Sequence, residues 1–358
     1  LVRPLLDYGS ELIDDEWEKA EGVQLKMAKM ILGCGVTTAN EAVTGELGLW
    51  SLNSRRKMLR LRYWGKLVRM SEDRIVKKSY VALCQSLTMK KKAKRPSKCK
   101  KRSDVQNRLM TRTKNKIEEK KKEKEQEGNS VCDWNKNWCY YTFKALQEVG
   151  LEKYWHHQNS TAETELVATL RNKKEWNKLV KKQVTLFEQK RWKTQVAQKK
   201  VLEVYQVIKD KPEYESYLDS DNVPARRSMT ILRVGNNPLR VCKGRQDNTE
   251  REDRLCCYED CYEDNKVEDV CHILFHCRNP EICKLRNQLV ENNLVDFQIP
   301  TLETSSKVIS ADGVICLKKF MGTGLKGQDS KKHLQIVLSY TRNLLRVRTR
   351  ALVRKDSS

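Results

Sequence analysis

The chain has 358 residues, a third of them charged, and a formal net charge of +24. That length allows two or three compact units, and so large an excess of cations points to a polyanionic partner. No apolar run approaches the ~20 residues of a membrane span and no signal sequence opens the chain, so nucleic acid is expected rather than a membrane surface. The thirteen cysteines then fit a reducing, intracellular setting, nuclear or cytoplasmic, better than a disulfide framework.

In chain order, Leu1, Val2, Leu5 and Leu6 form an apolar opening that reads as the tail of an element already under way, so a fragment of a longer protein is expected. Asp14 and Asp15 can cap a predicted helix on which Trp17, Ala20, Val23, Met27 and Met30 or Ile31 fall at helical spacing, with Gly33 and Gly35 as its stop. A second helix is predicted from about Ser54 to Met70. Met58, Leu61, Trp64, Leu67 and Val68 line one side of it, and basic residues surround the rest. From Ser51 to Ser71 there are seven basic residues and no acid.

Lys90 to Glu125 carries seventeen Lys or Arg against five acids, which is half of the whole excess. With so few apolar residues it cannot offset the entropy of ordering, and a flexible Lys-rich linker is expected over 89–130. Beyond it, Trp134, Trp138, Tyr141, Phe143, Leu146, Val149 and Leu151 predict an aromatic-rich helix ending near Gly150. A longer helix is predicted from Glu165 to Ala197 and another from Val201 to Ile208. Tryptophans and tyrosines beside aliphatics at helical spacing read as core rather than as stacking platforms for bases. Lys331 to Lys355, with eight basic residues and no acid, predicts an amphipathic helix suited to phosphate or to an acidic partner surface.

The densest chemistry lies in Cys257-x3-Cys261-x10-His272-x4-Cys277. Three thiolates and an imidazole are a ligand set that closes a tetrahedral Zn2+ site, and the ten-residue middle segment is long enough to wrap an ion. Cys256 and His276 stand beside chosen ligands and are alternative donors. From Asp247 to Asp264 there are eight acids and two arginines, a charge balance that repels phosphate, so the zinc is expected to be structural rather than a direct nucleic-acid grip. These readings predict a mainly α fold with a small zinc-stabilised module, divided as 1–88, 89–130, 131–246, 247–290 and 291–358.

Several stretches, in order, resemble the region that follows the polymerase palm in non-LTR (LINE-type) retrotransposon reverse transcriptases. They are Val2-Arg3-Pro4-Leu5-Leu6-Asp7-Tyr8-Gly9, Met30-Ile31-Leu32-Gly33, Ala42-Val43-Thr44-Gly45-Glu46-Leu47-Gly48, Arg55-Arg56-Lys57 and Tyr63-Trp64. Asn137-Trp138-Cys139, Gln189-Lys190-Arg191-Trp192, Leu232-Arg233-Val234-Gly235-Asn236 and the Cys/His cluster continue the series. The chain departs from the family's pattern in the wider first Cys pair and in the Lys-rich stretch, which looks like an insertion.

The resemblance implies a parent protein that copies RNA into DNA at a nicked target site. In such a protein the thumb-like helix, through Arg55, Arg56, Lys57, Arg60, Arg62, Lys66 and Arg69, would grip template and primer through phosphates, and the later helices and zinc module would position RNA or DNA. It also implies the upstream polymerase domain of the same polyprotein as a partner. Paired aspartates on a hairpin would hold the two catalytic metals of such a polymerase, but Asp14-Asp15 precedes a helix pattern and reads as a cap. Asp296, Glu303, Asp312 and Asp329 form no nuclease pattern. No catalytic residue is therefore expected in this chain.

Overall fold

In the computed structural model, residues 7–13, 18–89, 137–291, 317–318, 320–321 and 328–356 are described. The linker over 90–130, the Asp14-Asp15 cap, Leu1 to Leu6, and Asp296, Glu303 and Asp312 lie outside them. The fold is mainly α, and among the described residues only two isolated β-bridges occur, Leu47 with Tyr214 and Leu255 with Val267.

The helices run α1 Glu18–Leu32, α2 Asn40–Glu46, α3 Leu52–Val68, α4 Ile75–Met89, α5 Trp138–Glu148, α6 Glu152–His156, α7 Glu165–Arg171 and α8 Lys173–Ala197. They continue as α9 Glu203–Ile208, α10 Val223–Arg233, α11 Arg240–Gln246, α12 Glu259–Tyr262, α13 Pro280–Glu291 and α14 Gln328–Asp356. Local chemistry sets many of the ends. α1 stops at Gly33, whose φ of +64° is a left-handed conformation that glycine adopts without strain. Asn137, Thr164 and Asn222 each accept a backbone N–H of the first turn of the helix they precede.

The helix expected over Glu165 to Ala197 is two helices. At Asn172 the backbone turns extended, φ −84° and ψ 112°, and its side chain accepts from Lys174 N at 3.0 Å and Glu175 N at 3.3 Å. One residue thus ends α7 and caps α8.

The chain forms two compact units, one of Leu1–Glu16 with Asn53–Phe187 and one of Trp17–Leu52 with Glu188–Ser358. Both are discontinuous in sequence, and they follow different boundaries from the consecutive blocks expected above. The first unit is built on aromatics. Trp64 and Trp176 are fully buried, with ring centroids 5.3 Å apart, and Trp64 stacks on Trp155 at 5.7 Å. Their indole N–H groups find partners, Trp64 on the Tyr80 hydroxyl at 2.9 Å and Trp176 on the Leu61 carbonyl at 3.0 Å, as buried tryptophans require. Gly65 makes this approach possible, because a methyl group there would overlap the Trp176 indole.

The second unit has one continuous core. Ala28, Leu32, Ala42 and Val43 come from its N-terminal part, and Trp192, Tyr205, Leu232, Ile273, Phe320, Leu338 and Leu344 from the rest. A fully buried ion pair lies in it. Arg233 donates to both Glu46 carboxylate oxygens at 2.9 Å, and the Tyr217 hydroxyl donates to the same carboxylate at 2.6 Å. Glu215 lies 3.1 Å from the Arg233 guanidinium and pairs with Lys209, so two cations compensate two carboxylates, without which burial would cost several kcal/mol.

Candidate metal centre and cationic cleft

Cys256, Cys261, His272 and Cys277 are buried, with one ligand atom from each within 4.8 Å of the others. Donors about 2.0–2.3 Å from a tetrahedral ion lie roughly 3.3–3.8 Å apart, so a modest contraction closes the set around a metal. The bridge Leu255 with Val267 and the bond from Cys256 N to the Lys266 carbonyl at 2.8 Å bring in the first ligand. The chain then loops through α12 to Cys261, and Lys266 N returns to the Cys261 carbonyl at 3.1 Å. A π-type turn over His272–His276 delivers the second pair, with Cys277 N on the His272 carbonyl at 2.8 Å.

The cluster that could hold a metal therefore takes Cys256 and not Cys257. The isolated bridge of Leu255 with Val267 ends at Cys256, and the chain bends at Cys257. Cys256 is completely buried and Cys257 only partly so, the latter beside the Glu268 and Arg348 charges. The spacing becomes symmetric, Cys256-x4-Cys261 and His272-x4-Cys277. His276, the other alternative, stands outside the four.

The donors suit a soft cation. Burial, with the nearby positive charges of His276, Arg286 and Lys266, pushes the His272 imidazole down to about 4, so it is neutral at physiological pH as a ligand must be, and its Nε2 has no hydrogen-bond partner. The Cys256 thiol is lowered by its contact with Cys257, but its contact with Cys277 and burial outweigh this and raise it overall. A bound dication inverts that balance and deprotonates the thiol. Arg278 N already donates to the Cys261 sulfur at 3.2 Å, an outer contact of the kind that orients a thiolate.

A second set of contacts braces this module. Glu268 is fully buried, accepts from Arg240 N at 2.8 Å at the start of α11, and pairs with fully buried Arg348 of α14 at 2.7 Å. Tyr340 of α14 donates to the Leu274 carbonyl at 3.2 Å. The basic C-terminal helix thus turns one of its arginines inward and packs against α10 and α13, so Arg348 is not offered to phosphate.

The seven cations expected to meet nucleic acid are distributed unequally. Arg55 grips the Asp7 carboxylate, and Lys57 pairs with Glu148. Arg56 and Arg60 both donate to the Ile13 carbonyl, at 2.9 and 2.6 Å, and Arg69 donates to the Leu170 carbonyl at 2.8 Å. Those five build the first unit. Lys66 is exposed, and half-buried Arg62 keeps an Nε without a hydrogen-bond partner and is lowered by desolvation.

Arg62, Lys66 and Arg69 line an open cleft of about 570 Å³ together with Tyr63, Asn177, Arg74 and Lys173, and Glu11 is its one acid. Arg74 and Lys173 carry no signal in the sequence, because both lie outside the dense acid-free basic runs, Arg74 after Glu72 and Asp73 and Lys173 two residues before Glu175. Exposed Lys174, Lys178, Lys181 and Lys182 continue along α8 on the face opposite buried Trp176, Val180 and Val184. Among the described residues no helix is long and apolar enough to cross a membrane. Compared with protein-family models, with curated proteins and with solved structures, the chain finds no match.

Proposed function

We propose that this chain is a nucleic-acid-binding and positioning module without a catalytic centre of its own, corresponding to the part of a LINE-type reverse transcriptase that follows the palm. The observation that carries the reading is the cationic cleft of the first unit, where five basic side chains face one acid. An anionic strand there would neutralise Lys66, Arg74 and Lys173 and run on beside the α8 lysines. In this reading the Cys256, Cys261, His272 and Cys277 group holds Zn2+. Three thiolates and one imidazole, closed to further ligands by burial, suit a structural zinc that contributes folding energy rather than chemistry.

Binding of single-stranded RNA, duplex DNA and an RNA–DNA hybrid, measured by fluorescence anisotropy over a range of salt, tests the proposal. Log affinity should fall with log salt at roughly 0.7–0.9 per phosphate neutralised. The K66E/R74E/K173E variant alters exposed positions only and should reduce that slope by about one for each lost contact. Salt-independent affinity, or a triple variant that binds as wild type, removes the physical basis of the reading.

One observation favours a second reading, a zinc-stabilised helical protein-interaction module. Val23, Met27, Met30 and Ile31 recur at helical spacing on α1 and are 47–73% exposed. Under that reading Met30→Asp with Ile31→Asp abolishes capture of a protein partner, and the cleft variant leaves capture unchanged.

A further inference from the structure

Cys84 and Cys139 do not belong to the metal group. Cys84 lies near the end of α4 and Cys139 in the first turn of α5, 55 residues apart in sequence, and their sulfurs are 3.3 Å from each other. That is contact distance for two thiols, and about 1.3 Å separates it from a disulfide bond of ~2.0 Å. The helices that carry them pack together, and the Asn137 side-chain amide donates to the Leu83 carbonyl at 3.0 Å, so the frame that presents the sulfurs is already closed. Cys139 is completely buried, whereas Cys84 is partly exposed.

We infer that Cys84 and Cys139 form a redox-reactive dithiol that a small-molecule disulfide such as oxidised glutathione converts to an intramolecular disulfide, fastening α4 to α5.

The asymmetry of the pair assigns the roles. The contact with Cys139, the Tyr80 hydroxyl and the nearby Lys77 ammonium all favour a Cys84 thiolate, and together they outweigh its partial burial. The Cys139 thiol is raised, first by the contact with Cys84 and then by burial. Cys84 is therefore the reachable nucleophile and Cys139 the resolving thiol.

The Cys84 thiolate attacks one sulfur of the small disulfide, forming a mixed disulfide and expelling the first small thiolate. Cys139 then gives up its proton, and its sulfur attacks the Cys84 sulfur and expels the second. Two protein thiols lose two electrons and two protons, and one oxidised glutathione becomes two reduced ones. The disulfide closes a covalent ring through residues 85–138, whose sequence includes the whole Lys90 to Glu125 cationic run. This inference stands whether or not the chain binds nucleic acid.

The test equilibrates the full chain, saturated with Zn2+ to protect Cys256, Cys261 and Cys277, in glutathione buffers from fully reduced to fully oxidised. After quenching with an alkylating agent, tryptic peptides are read by mass spectrometry. The expected product links peptides 79–90 and 137–144; it grows with oxidation, vanishes on reduction and is absent from C84S. In C139S, Cys84 should accumulate as the glutathione mixed disulfide about tenfold above its wild-type level, because nothing resolves it. Buried Cys139 carries a risk of misfolding when replaced, so C84S with a wild-type melting curve serves as the control for the linked peptide. Absence of the linked peptide in the fully oxidised buffer overturns the inference, and so does equal glutathionylation of Cys84 in wild type and a folded C139S.

Discussion

At the level of single residues, the decisive choice is between two adjacent cysteines. Cys256 and Cys257 offer the same atom at nearly the same place in sequence, and ligand spacing tolerates either. Burial and position separate them: completely buried Cys256 gathers with Cys261, His272 and Cys277, and partly exposed Cys257 lies outside that group. Cys256→Ser should therefore release the metal, weakening affinity by more than the ~10- to 100-fold that an outer-shell change costs. Cys257→Ser should keep it, and metal content after dialysis, with the melting temperature beside it, separates the two. His272 adds a pH dependence of definite sign. Its folded value is depressed to about 4 from an unfolded value near 6.5. Its contribution to stability is complete above pH ~6.5 and is lost as pH falls towards 4, on the order of 3 kcal/mol in all. The difference in urea stability between wild type and His272→Asn, both kept metal-free with chelator and followed from pH 7.5 to 4, isolates this term. A difference that stays constant or grows on acidification contradicts it.

Among the elements, the long basic helix α14 shows how a charge run can be structural. Its Arg348 is wholly buried against Glu268, and Glu268 also caps α11 through Arg240 N. Arg348→Met leaves Glu268 buried and uncompensated and should cost about 3–5 kcal/mol. The double variant with Glu268→Gln should recover much of this, and chemical denaturation of wild type, both singles and the double measures the coupling. A sum of the single effects equal to the double would show that the two side chains act independently. No sequence pattern announces this contact, since Glu268 and Arg348 are 80 residues apart and each looks like an ordinary surface charge. Features governed by local chemistry were legible: α1 to Gly33, α3 with Trp64 inward, α5 to near Gly150, and the metal group to within one residue. Features decided by competition or by distant partners were not. Asn172 splits a helix that its apolar period alone would continue. Ile75–Met89 runs straight into the Lys-rich stretch, whose charge masks its apolar period. The Val23, Met27, Met30 and Ile31 stripe keeps helical spacing but faces outward, because α1 buries Ala28 and Leu32 instead.

For the molecule as a whole, the candidate metal group and the cationic cleft are assigned to different units of the chain. The metal group lies in the unit of Trp17–Leu52 with Glu188–Ser358, and the aromatic core and cationic cleft lie in the unit of Leu1–Glu16 with Asn53–Phe187. Each unit closes its own core, since Trp64, Trp176 and Val180 belong to one, and Tyr205, Ile273 and Leu344 to the other. A structural ion contributes stability where its ligands are tied together, because the unfolded chain offers no preformed site. Chelation should therefore accelerate amide exchange in residues 255–277, and through the Glu268–Arg348 and Tyr340–Leu274 contacts in 337–348 as well. Exchange over 138–187 should change little. Hydrogen exchange read by mass spectrometry, with and without chelator, resolves both regions in one experiment, and equal acceleration in both would mean that the ion supports a single cooperative structure rather than one unit. The cleft cations sit in the unit that holds none of the four candidate ligands, so chelation should leave the salt dependence of phosphate binding unchanged.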